Sequence, residues 1–279
     1  MQLRLQRPDI IASIARLPAF PGVISDLLAD LDDDSSSMMT LARHVERDPV
    51  VTGRILSVAN RMLRQEGRTE VRDVFTAVSL IGFARIRDIV LTTCIASFTS
   101  QFRGRNYYWK HSLAVGIGAQ ELARRVAVNQ DYALVAGLLH DIGQLWMAYF
   151  HPLEFQQARL RVEVHGEPVC QAEADLFGLD HCEVGRLVAE HWGLPAEVLG
   201  AIFFHHAPDQ RAAVNKLVAL THLAELIANA LDLPYREENQ VAYLSPTVCE
   251  VLELDWSEDL SPLLGQIEAR FRYAATLFG

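Results

Sequence analysis

Apolar residues recur at every third or fourth position along most of this chain, which is the spacing of one face of an α-helix. The segment from Pro21 to Leu31 shows this spacing at Val23, Ile24, Leu27, Leu28 and Leu31. Apolar and polar residues alternate over only a few positions anywhere, and the sequence lacks the Asn-Gly and Asp-Gly dipeptides that close β-hairpins. The pattern therefore predicts an all-α protein.

The helix boundaries are predicted from this periodicity together with residues that start and stop helices. In the first part of the chain the predicted helices cover 21–31, 36–48, a segment beginning at Pro49, 74–80 and 84–98. Asp48 is predicted to cap the helix that Pro49 begins, and Gly82 to separate the last two. The polar stretch 100–106 is interpreted as a linker. After it, helices are predicted at 108–126, 132–139, 166–177, 182–191, 196–205 and 214–231, followed by two short ones beginning at Ser245-Pro246 and near Ser257.

The composition is that of a globular protein without membrane spans. Half of the 279 residues are apolar and 22% are charged, which is enough apolar material for a buried core. The longest apolar run, near Ile89 to Phe98, is too short to cross a bilayer, and the first residues lack the apolar centre of a signal peptide. The four cysteines have no Cys-x-x-Cys spacing and are expected to be reduced thiols. We therefore expect a cytoplasmic protein with no membrane partner.

Charge is distributed unevenly along the chain. Residues 1–110 carry 15 Lys and Arg against 12 Asp and Glu, whereas residues 111–279 carry 10 against 23. The formal net charge of the whole chain is −10. Because nucleic-acid binding relies on basic side chains that contact phosphates, this balance disfavours DNA or RNA as a partner, although a local basic patch in the first part is compatible with it.

The placement of the histidines is the main chemical signal in the sequence. Nine of the ten histidines follow the 100–106 stretch. Those at or near the ends of predicted helices are His111, His140, His181, His205 and His206, and Asp141 directly follows His140. Neutral imidazole and carboxylate groups together suit Mn, Fe, Zn or Ni. Spacings of tens of residues leave two alternatives open, a shared metal site or histidines that separately fill core and cap positions.

Motifs in both parts of the chain, taken in order, carry a resemblance to a known family. The early motifs are Leu17-Pro18-x-x-Pro21, Asp48-Pro49-x-x-Thr52-x-x-Ile55-Leu56-x-x-Ala59-Asn60, and Ala77-Val78-x-x-Ile81-Gly82-x-x-x-Ile86-Arg87. The later motifs are Trp109-x-His111-Ser112, Gly137-Leu138-Leu139-His140-Asp141-Ile142-Gly143, Glu173-x-x-x-x-Gly178-x-x-His181-x-x-x-Gly185, His191-Trp192-x-Leu194-Pro195, and His205-His206-x-Pro208. Over residues 14–230 this series resembles the HDOD domain, the HD-related output domain of the HD superfamily of metal-dependent phosphohydrolases.

The resemblance implies an arrangement of the helices. An HD-like helical bundle over residues 101–232 is expected to pack against an N-terminal helical portion over residues 1–100. Residues 233–279 are expected to form C-terminal helices. Proteins of this family are generally regarded as regulatory and act in bacterial signal transduction.

The resemblance also implies a metal site. The residues expected to hold one or two divalent ions (Fe, Mn, Zn or Ni) are His111, His140, Asp141, His181, His205, His206 and Glu225. Asp141 would bridge two ions, and catalysis would depend on it if the protein is an enzyme. Glu173 is expected either to hold a ligand histidine in place or to serve at a helix surface or cap.

Three departures from the family pattern bear on activity. Glu225 stands where the family has an aspartate, so either its longer side chain ligates the ion or the site is lost. Gln144 stands where a phosphate-binding lysine is usual. No Gly-Tyr-Pro follows His205-His206, so the cyclic-di-GMP phosphodiesterase subclass is not supported.

The resulting hypothesis is a bacterial signal-transduction output module that binds a signalling protein or a nucleotide in the cleft between its portions. Arg87, which lies inside a family-like segment, is the candidate for contact with the partner or a phosphate. The alternative is a metal-dependent phosphohydrolase or phosphodiesterase that acts on a nucleotide or phosphate ester. Cys182 and His222 are expected to be structural residues and not ligands.

Overall fold

The computed structural model describes residues 4–17, 21–22, 24, 26, 38–46, 49–65, 67–100, 106–211, 215–233, 243–254 and 257–278. Within these ranges the chain forms α-helices, a 3₁₀ turn at Pro208–Gln210 and no β-strand, so the predicted all-α class is confirmed. The helices are α1 (Arg7–Ile14), α2 (Met38–Glu46), α3 (Pro49–Gln65), α4 (Val74–Ile81), α5 (Phe83–Ser100), α6 (Asn106–Ala123), α7 (Gln130–Leu139), α8 (Ile142–Phe150), α9 (Pro152–His165), α10 (Val169–Phe177), α11 (His181–His191), α12 (Ala196–Phe204), α13 (Lys216–Ala230), α14 (Pro246–Leu252) and α15 (Ser261–Phe278). No helix of the described part combines the length and apolarity that a membrane span requires.

The chain divides into two compact units, one of them Phe20–Gln101 and the other Met1–Ala19 together with Phe102–Gly279. The second unit includes the C-terminal helices α14 and α15 as well as α1. The family resemblance instead predicts a portion that covers residues 1–100 and separate C-terminal helices over residues 233–279.

Specific contacts explain why α1 belongs with the later helices. The backbone N–H of Leu5 donates to the carbonyl oxygen of Phe177 at 2.7 Å. The indole N–H of Trp146, a fully buried side chain, donates to the Ser13 hydroxyl at 3.0 Å. These contacts join residues more than a hundred positions apart, which periodicity along the chain does not reveal.

The unit Phe20–Gln101 is built from α2 to α5, with α3 packed against both α4 and α5. The amide of Asn60 holds the connection before α4, because its Nδ2 donates to the Val71 carbonyl at 2.9 Å and its Oδ1 accepts from the Val71 N–H at 2.7 Å. Asp73 caps α4 by accepting from the Thr76 N–H at 2.8 Å. Asn60, which belongs to one of the family-like motifs, therefore has a structural role in this unit.

Several predicted boundaries in this unit agree with the structure. α3 begins at Pro49, and Gly82 separates α4 from α5 with a φ of +90°, a value that favours glycine. The Asp48 cap, most of the helix predicted over 21–31 and the linker residues 101–105 lie outside the described residues.

The larger unit is organised around α6, which packs against α7, α13 and α15. α8 packs against α11, and glycine makes their approach close. A Cβ atom on Gly143 would overlap the carbonyl oxygen of His181. This contact brings the start of α8 next to the start of α11, where the candidate site lies.

The largest differences from the predicted elements also fall in this unit. The periodicity predicts no helix between 139 and 166, yet α8 and α9 occupy most of that stretch. Gly166 is not the start of a helix but ends α9, with a φ of +66°. α15 begins at Ser261 and has 18 residues, so it is not short. The predicted start of α14 is confirmed, because Ser245 caps it by accepting from the Val248 N–H.

Candidate metal centre

Two histidines occupy the same position at the ends of two apolar helices. His140 is the C-cap residue of α7, and His205 is the C-cap residue of α12. In each, ring Nδ1 donates to the carbonyl oxygen three residues earlier, that of Gly137 or Ile202, at 2.8 Å. These carbonyls lie in the last helical turn, which the helix itself leaves without donors. The hydrogen bond fixes the tautomer, so Nε2 of each ring retains its lone pair.

Asp141 is buried between α7 and α8 and faces four imidazoles. Its Oδ2 lies 3.4 Å from Nε2 of His140 and 3.8 Å from Nε2 of His111, which is on α6. Its Oδ1 lies 3.4 Å from Nε2 of His181 and 3.9 Å from Nε2 of His205. Each carboxylate oxygen therefore faces a different pair of histidines.

The groups around Asp141 favour its ionised form. Burial alone raises the pKa of Asp141, but the imidazoles of His140 and His181 outweigh burial and hold the pKa well below its ordinary value. The side-chain amide of Gln144 donates to Oδ1 at 3.1 Å. The site thus presents a buried carboxylate anion to whatever enters it.

His181, the first residue of α11, is held in place by Glu173 of α10. Oε2 of Glu173 accepts from ring Nδ1 at 2.6 Å and from the backbone N–H of His181 at 2.9 Å. Burial lowers the pKa of His181, but the Glu173 carboxylate raises it by more, so the pKa lies well above its usual value. Nε2 of His181 lies 3.3 Å from Nε2 of His205. Two ring nitrogens at this separation need a proton or a cation between them.

Glu225 and His206 are the last two of the seven predicted metal-ligand residues. A carboxylate oxygen of Glu225 and one ring nitrogen each of His140 and His205 lie within 4.8 Å of one another, and burial raises the pKa of Glu225. The exposed ring of His206 has its centroid 5.0 Å from that of His181 and 4.2 Å from that of His205. The structure therefore brings all seven predicted ligand residues into one region of the larger unit.

The donor set fits a divalent transition metal. Nε2 of His140 is buried and makes no hydrogen bond, which is costly unless a cation meets its lone pair. Two ligand atoms that share one ion at about 2.1 Å are separated by roughly 3.0 to 3.5 Å. The 3.4 Å separations from Asp141 to Nε2 of His140 and of His181 fall in this range.

A cavity of about 490 Å³ opens beside the cluster, a size typical of small-molecule sites. Its walls come from α6, α8, α9, α10 and α13. Asp141, Glu167 and Glu225 line it, and Arg159 is the cation among its lining residues that the structure describes. The cavity is therefore an acidic pocket, and four of the predicted ligand residues line it: His111, Asp141, His206 and Glu225.

A match to a known family covers most of the chain. The family profile of the HDOD domain matches residues 17–208, which include Asp141 and the five histidines of the cluster. The chain belongs to the HDOD domain family. This confirms the resemblance found in the sequence motifs.

Solved structures with this HDOD fold span nearly the whole chain. An HDOD domain protein with unknown function from Geobacter sulfurreducens has a TM-score of 0.78 at 24% identity and covers 98% of this chain and 97% of its own. A candidate signal transduction protein from Marinobacter aquaeolei VT8 has a TM-score of 0.77 at 23% identity, over 99% of this chain and 62% of its own. A candidate phosphohydrolase from Shewanella amazonensis SB2B has a TM-score of 0.73 at 22% identity, over 97% of this chain and 98% of its own. At these identities the likeness is one of fold.

A relative from Treponema pallidum (strain Nichols), described as an uncharacterized protein, is 21% identical over 253 residues. The match covers 85% of this HDOD chain but only 48% of the relative. The chain thus spans about half the length of the relative it matches.

The structure adds residues to the HDOD site that the sequence analysis did not select. His222 is buried in the cavity wall, donates from Nδ1 to the His205 carbonyl at 2.7 Å, and has no hydrogen-bond partner at Nε2. Cys170 and Arg159 also line the cavity. Spacing could have identified two of these residues, because His222 lies three positions before Glu225 on α13 and Cys170 three before Glu173 on α10.

One predicted residue lies elsewhere. Arg87 belongs to α5 in the unit Phe20–Gln101, and its side chain is outside the described residues. Its contact with a partner or a phosphate stays a prediction.

Proposed function

We propose that this HDOD protein is a cytoplasmic output module of bacterial signal transduction that holds a divalent metal at the Asp141 cluster. Its cavity would bind a small phosphate-bearing ligand such as a nucleotide next to the ion. A signalling protein remains the other expected partner, with Arg87 as the candidate contact residue. The metal would be Fe, Mn, Zn or Ni, in keeping with the imidazole and carboxylate donors.

The observation that carries the proposal is the convergence of fixed histidine tautomers on one ionised carboxylate. His140, His181 and His205 each engage Nδ1 in a hydrogen bond and turn Nε2 toward Asp141. Histidines that only fill core or cap positions do not need to direct three Nε2 atoms at one carboxylate. Orientation by carbonyl or carboxylate acceptors is how proteins commonly prepare metal ligands.

Charge in the cavity favours a regulatory role over efficient hydrolysis. Three carboxylates face the cavity, and Arg159 lies 3.2 Å from the carboxylate of Glu163, so its charge is partly balanced. Gln144 offers an amide where related enzymes offer a lysine ammonium. A phosphate ester would therefore depend on the bound metal for most of its electrostatic attraction.

The second candidate function is a metal-dependent phosphohydrolase, and the geometry at Asp141 favours it. Oδ1 and Oδ2 face different histidine pairs, and in this function Asp141 would bridge two ions. A bound metal lowers the pKa of a water and draws charge from a phosphate ester. Asp141 would then position the ions, and Gln144 would orient the carboxylate by its hydrogen bond to Oδ1.

Metal content and nucleotide binding together test the proposal. Protein purified without chelator is analysed by plasma mass spectrometry, and nucleotide binding is measured by calorimetry before and after metal removal. We expect bound transition metal in the wild type and its loss in Asp141→Ala. Asp175→Ala, which removes a partly exposed carboxylate on α10, is the matched control and should keep its metal.

The outcomes separate the alternatives. Metal together with nucleotide binding but no phosphate release supports the output module, whereas phosphate release abolished by Asp141→Ala supports the hydrolase. Protein that contains no metal and takes up none on reconstitution contradicts both candidates, and the histidines are then structural.

A further inference from the structure

Two cysteine thiols lie on the His181 side of the cluster. Cys182 Sγ lies 3.5 Å from Nε2 of His181 and is buried. Cys170 Sγ and one ring nitrogen each of His181 and His206 lie within 4.8 Å of one another. Cys170 Sγ and Cys182 Sγ also lie within 4.8 Å of each other. Sulfur therefore approaches His181 from two helices, α10 and α11.

The arrangement of α10 explains how sulfur reaches this position. Cys170 and Glu173 are three residues apart and so share a face of α10. Glu173 binds Nδ1 of His181, and the same face carries Cys170 toward the cavity that His206 lines. One helix thus both orients the His181 ring and supplies a thiol beside it.

The spacing matches coordination by sulfur and nitrogen together. Zinc–sulfur bonds are about 2.3 Å long and zinc–nitrogen bonds about 2.1 Å. A sulfur and a nitrogen bound to one tetrahedral ion are therefore roughly 3.5 Å apart. The separation of Cys182 Sγ from His181 Nε2 is 3.5 Å. On the opposite side of Asp141, His111 and His140 face Oδ2, and no cysteine joins them in the potential ligand groups of the described residues.

We propose that the ion on the His181 side of the cluster is bound partly by thiolate sulfur from Cys170 and Cys182, which makes this half of the site selective for a thiophilic ion such as Zn²⁺. The His111 side, with nitrogen and oxygen donors alone, accepts a wider range of ions. Binding replaces the thiol protons, which are released to solvent. This inference rests on the proposed metal function and specifies its ligands and ion preference.

Cobalt substitution tests the ligand set without any measurement of activity. The metal-free full chain is titrated with Co²⁺ and followed by absorption spectroscopy. Visible ligand-field bands report that cobalt is bound, and a near-ultraviolet sulfur-to-cobalt charge-transfer band reports thiolate ligands. We expect both in the wild type. Cys170→Ser should lose part of the charge-transfer intensity, and Cys170→Ser with Cys182→Ala should lose all of it while retaining cobalt at the remaining site.

Cys249→Ser is the matched control, because Cys249 is also partly exposed but lies on α14 and joins none of the potential ligand groups of the described residues. It should leave the spectrum unchanged. Since Cys170 is partly exposed, the single variant tests the proposal even where loss of buried Cys182 disturbs folding. Zinc should also slow alkylation of Cys170 in the wild type.

The two proposals fail in different ways. Ligand-field bands without a charge-transfer band, or a charge-transfer band that survives Cys170→Ser with Cys182→Ala, would overturn the thiolate inference and leave the metal site standing. An absence of both kinds of band at saturating cobalt would overturn the metal site itself.

Discussion

At the scale of single residues, the cluster depends on what each imidazole does with its second nitrogen. His140 and His205 use helix-end carbonyls, whereas His181 uses the carboxylate of Glu173. These carbonyl acceptors belong to the helix backbone, so they are present whatever the side chain at that position. Glu173 is different, because its side chain alone supplies the bond that directs His181, and its charge raises the pKa of that ring. The His181 side is therefore the half of the site that a single substitution can most selectively weaken.

Glu173→Gln is expected to lower metal affinity by about 10- to 100-fold, as for other changes of a residue that orients a metal-bound histidine. The amide retains an acceptor for Nδ1 but loses the negative charge that makes the ring a better donor. Affinity is measured by competition with a chromogenic chelator. Glu190→Gln, an exposed change on α11, should leave the affinity unchanged. Equal affinity in the two variants would show that Glu173 does not act through His181.

Gln144→Lys is expected to raise the affinity of the metal-loaded protein for nucleotides by about tenfold, because it adds a charged hydrogen bond to a phosphate. Gln144 lines the cavity, so an ammonium at its position reaches the same space. Calorimetry on the wild type and the variant measures the change. Gln171→Lys, an exposed change on α10, controls for the added net charge. A matching gain in both variants would assign the effect to charge alone.

At the scale of helices, the site is assembled where helix ends meet. His140 follows the last residue of α7, Asp141 precedes α8, His181 begins α11, and His205 follows the last residue of α12. Gly143 permits this meeting, since any side chain there would collide with the backbone at His181. This close helix contact thus brings Asp141 and His181 together although they are 40 residues apart in sequence.

Gly143→Ala is expected to destabilise the protein by about 1 to 3 kcal/mol through overpacking, and to reduce metal uptake because α8 and α11 must move apart. Gly265→Ala is the control, since a Cβ at that position on α15 meets nothing within 4 Å. It should be neutral or slightly stabilising, because alanine favours helix more than glycine. Denaturant unfolding gives the stabilities and mass spectrometry the metal content. A Gly143→Ala protein as stable and as metal-rich as the control would contradict the role of this contact.

The sequence predicts some of the helices and site residues well and others not at all, for physical reasons. Periodicity and caps identified α4, α7, α12 and α14 closely, because local signals define them. The same signals do not reveal α8 and α9. α8 is apolar on nearly all sides, so it shows no periodic alternation of apolar and polar residues, and Pro152 begins α9 directly after it. The histidines and Asp141 of the site are recognisable in the sequence as parts of family motifs. Three-residue spacing from Glu173 and Glu225 indicates only that Cys170 and His222 share a helix face with them, because the rotation of α10 and α13 about their axes decides what that face contacts.

At the scale of the whole molecule, the described ligands all belong to one of the two compact units. The cluster draws on α6, α11, α12 and α13, whereas α2 to α5 form the unit Phe20–Gln101. An ion that binds only the native state stabilises the segments that hold it. We therefore expect metal to stabilise the larger unit more than the unit Phe20–Gln101.

Hydrogen exchange measured by mass spectrometry tests this expectation. At a metal concentration about 100-fold above the dissociation constant, the stabilisation amounts to about 2.7 kcal/mol. We expect slower exchange in peptides from α6, α11 and α12 on metal binding, and little change in peptides from α3 and α5. The difference should shrink as pH falls through the raised pKa of His181, because protons then compete with the ion for that imidazole. Equal slowing in both units would mean that the ion stabilises the chain as one cooperative body. Unchanged exchange throughout would mean that the histidine cluster does not bind the ion in the native state.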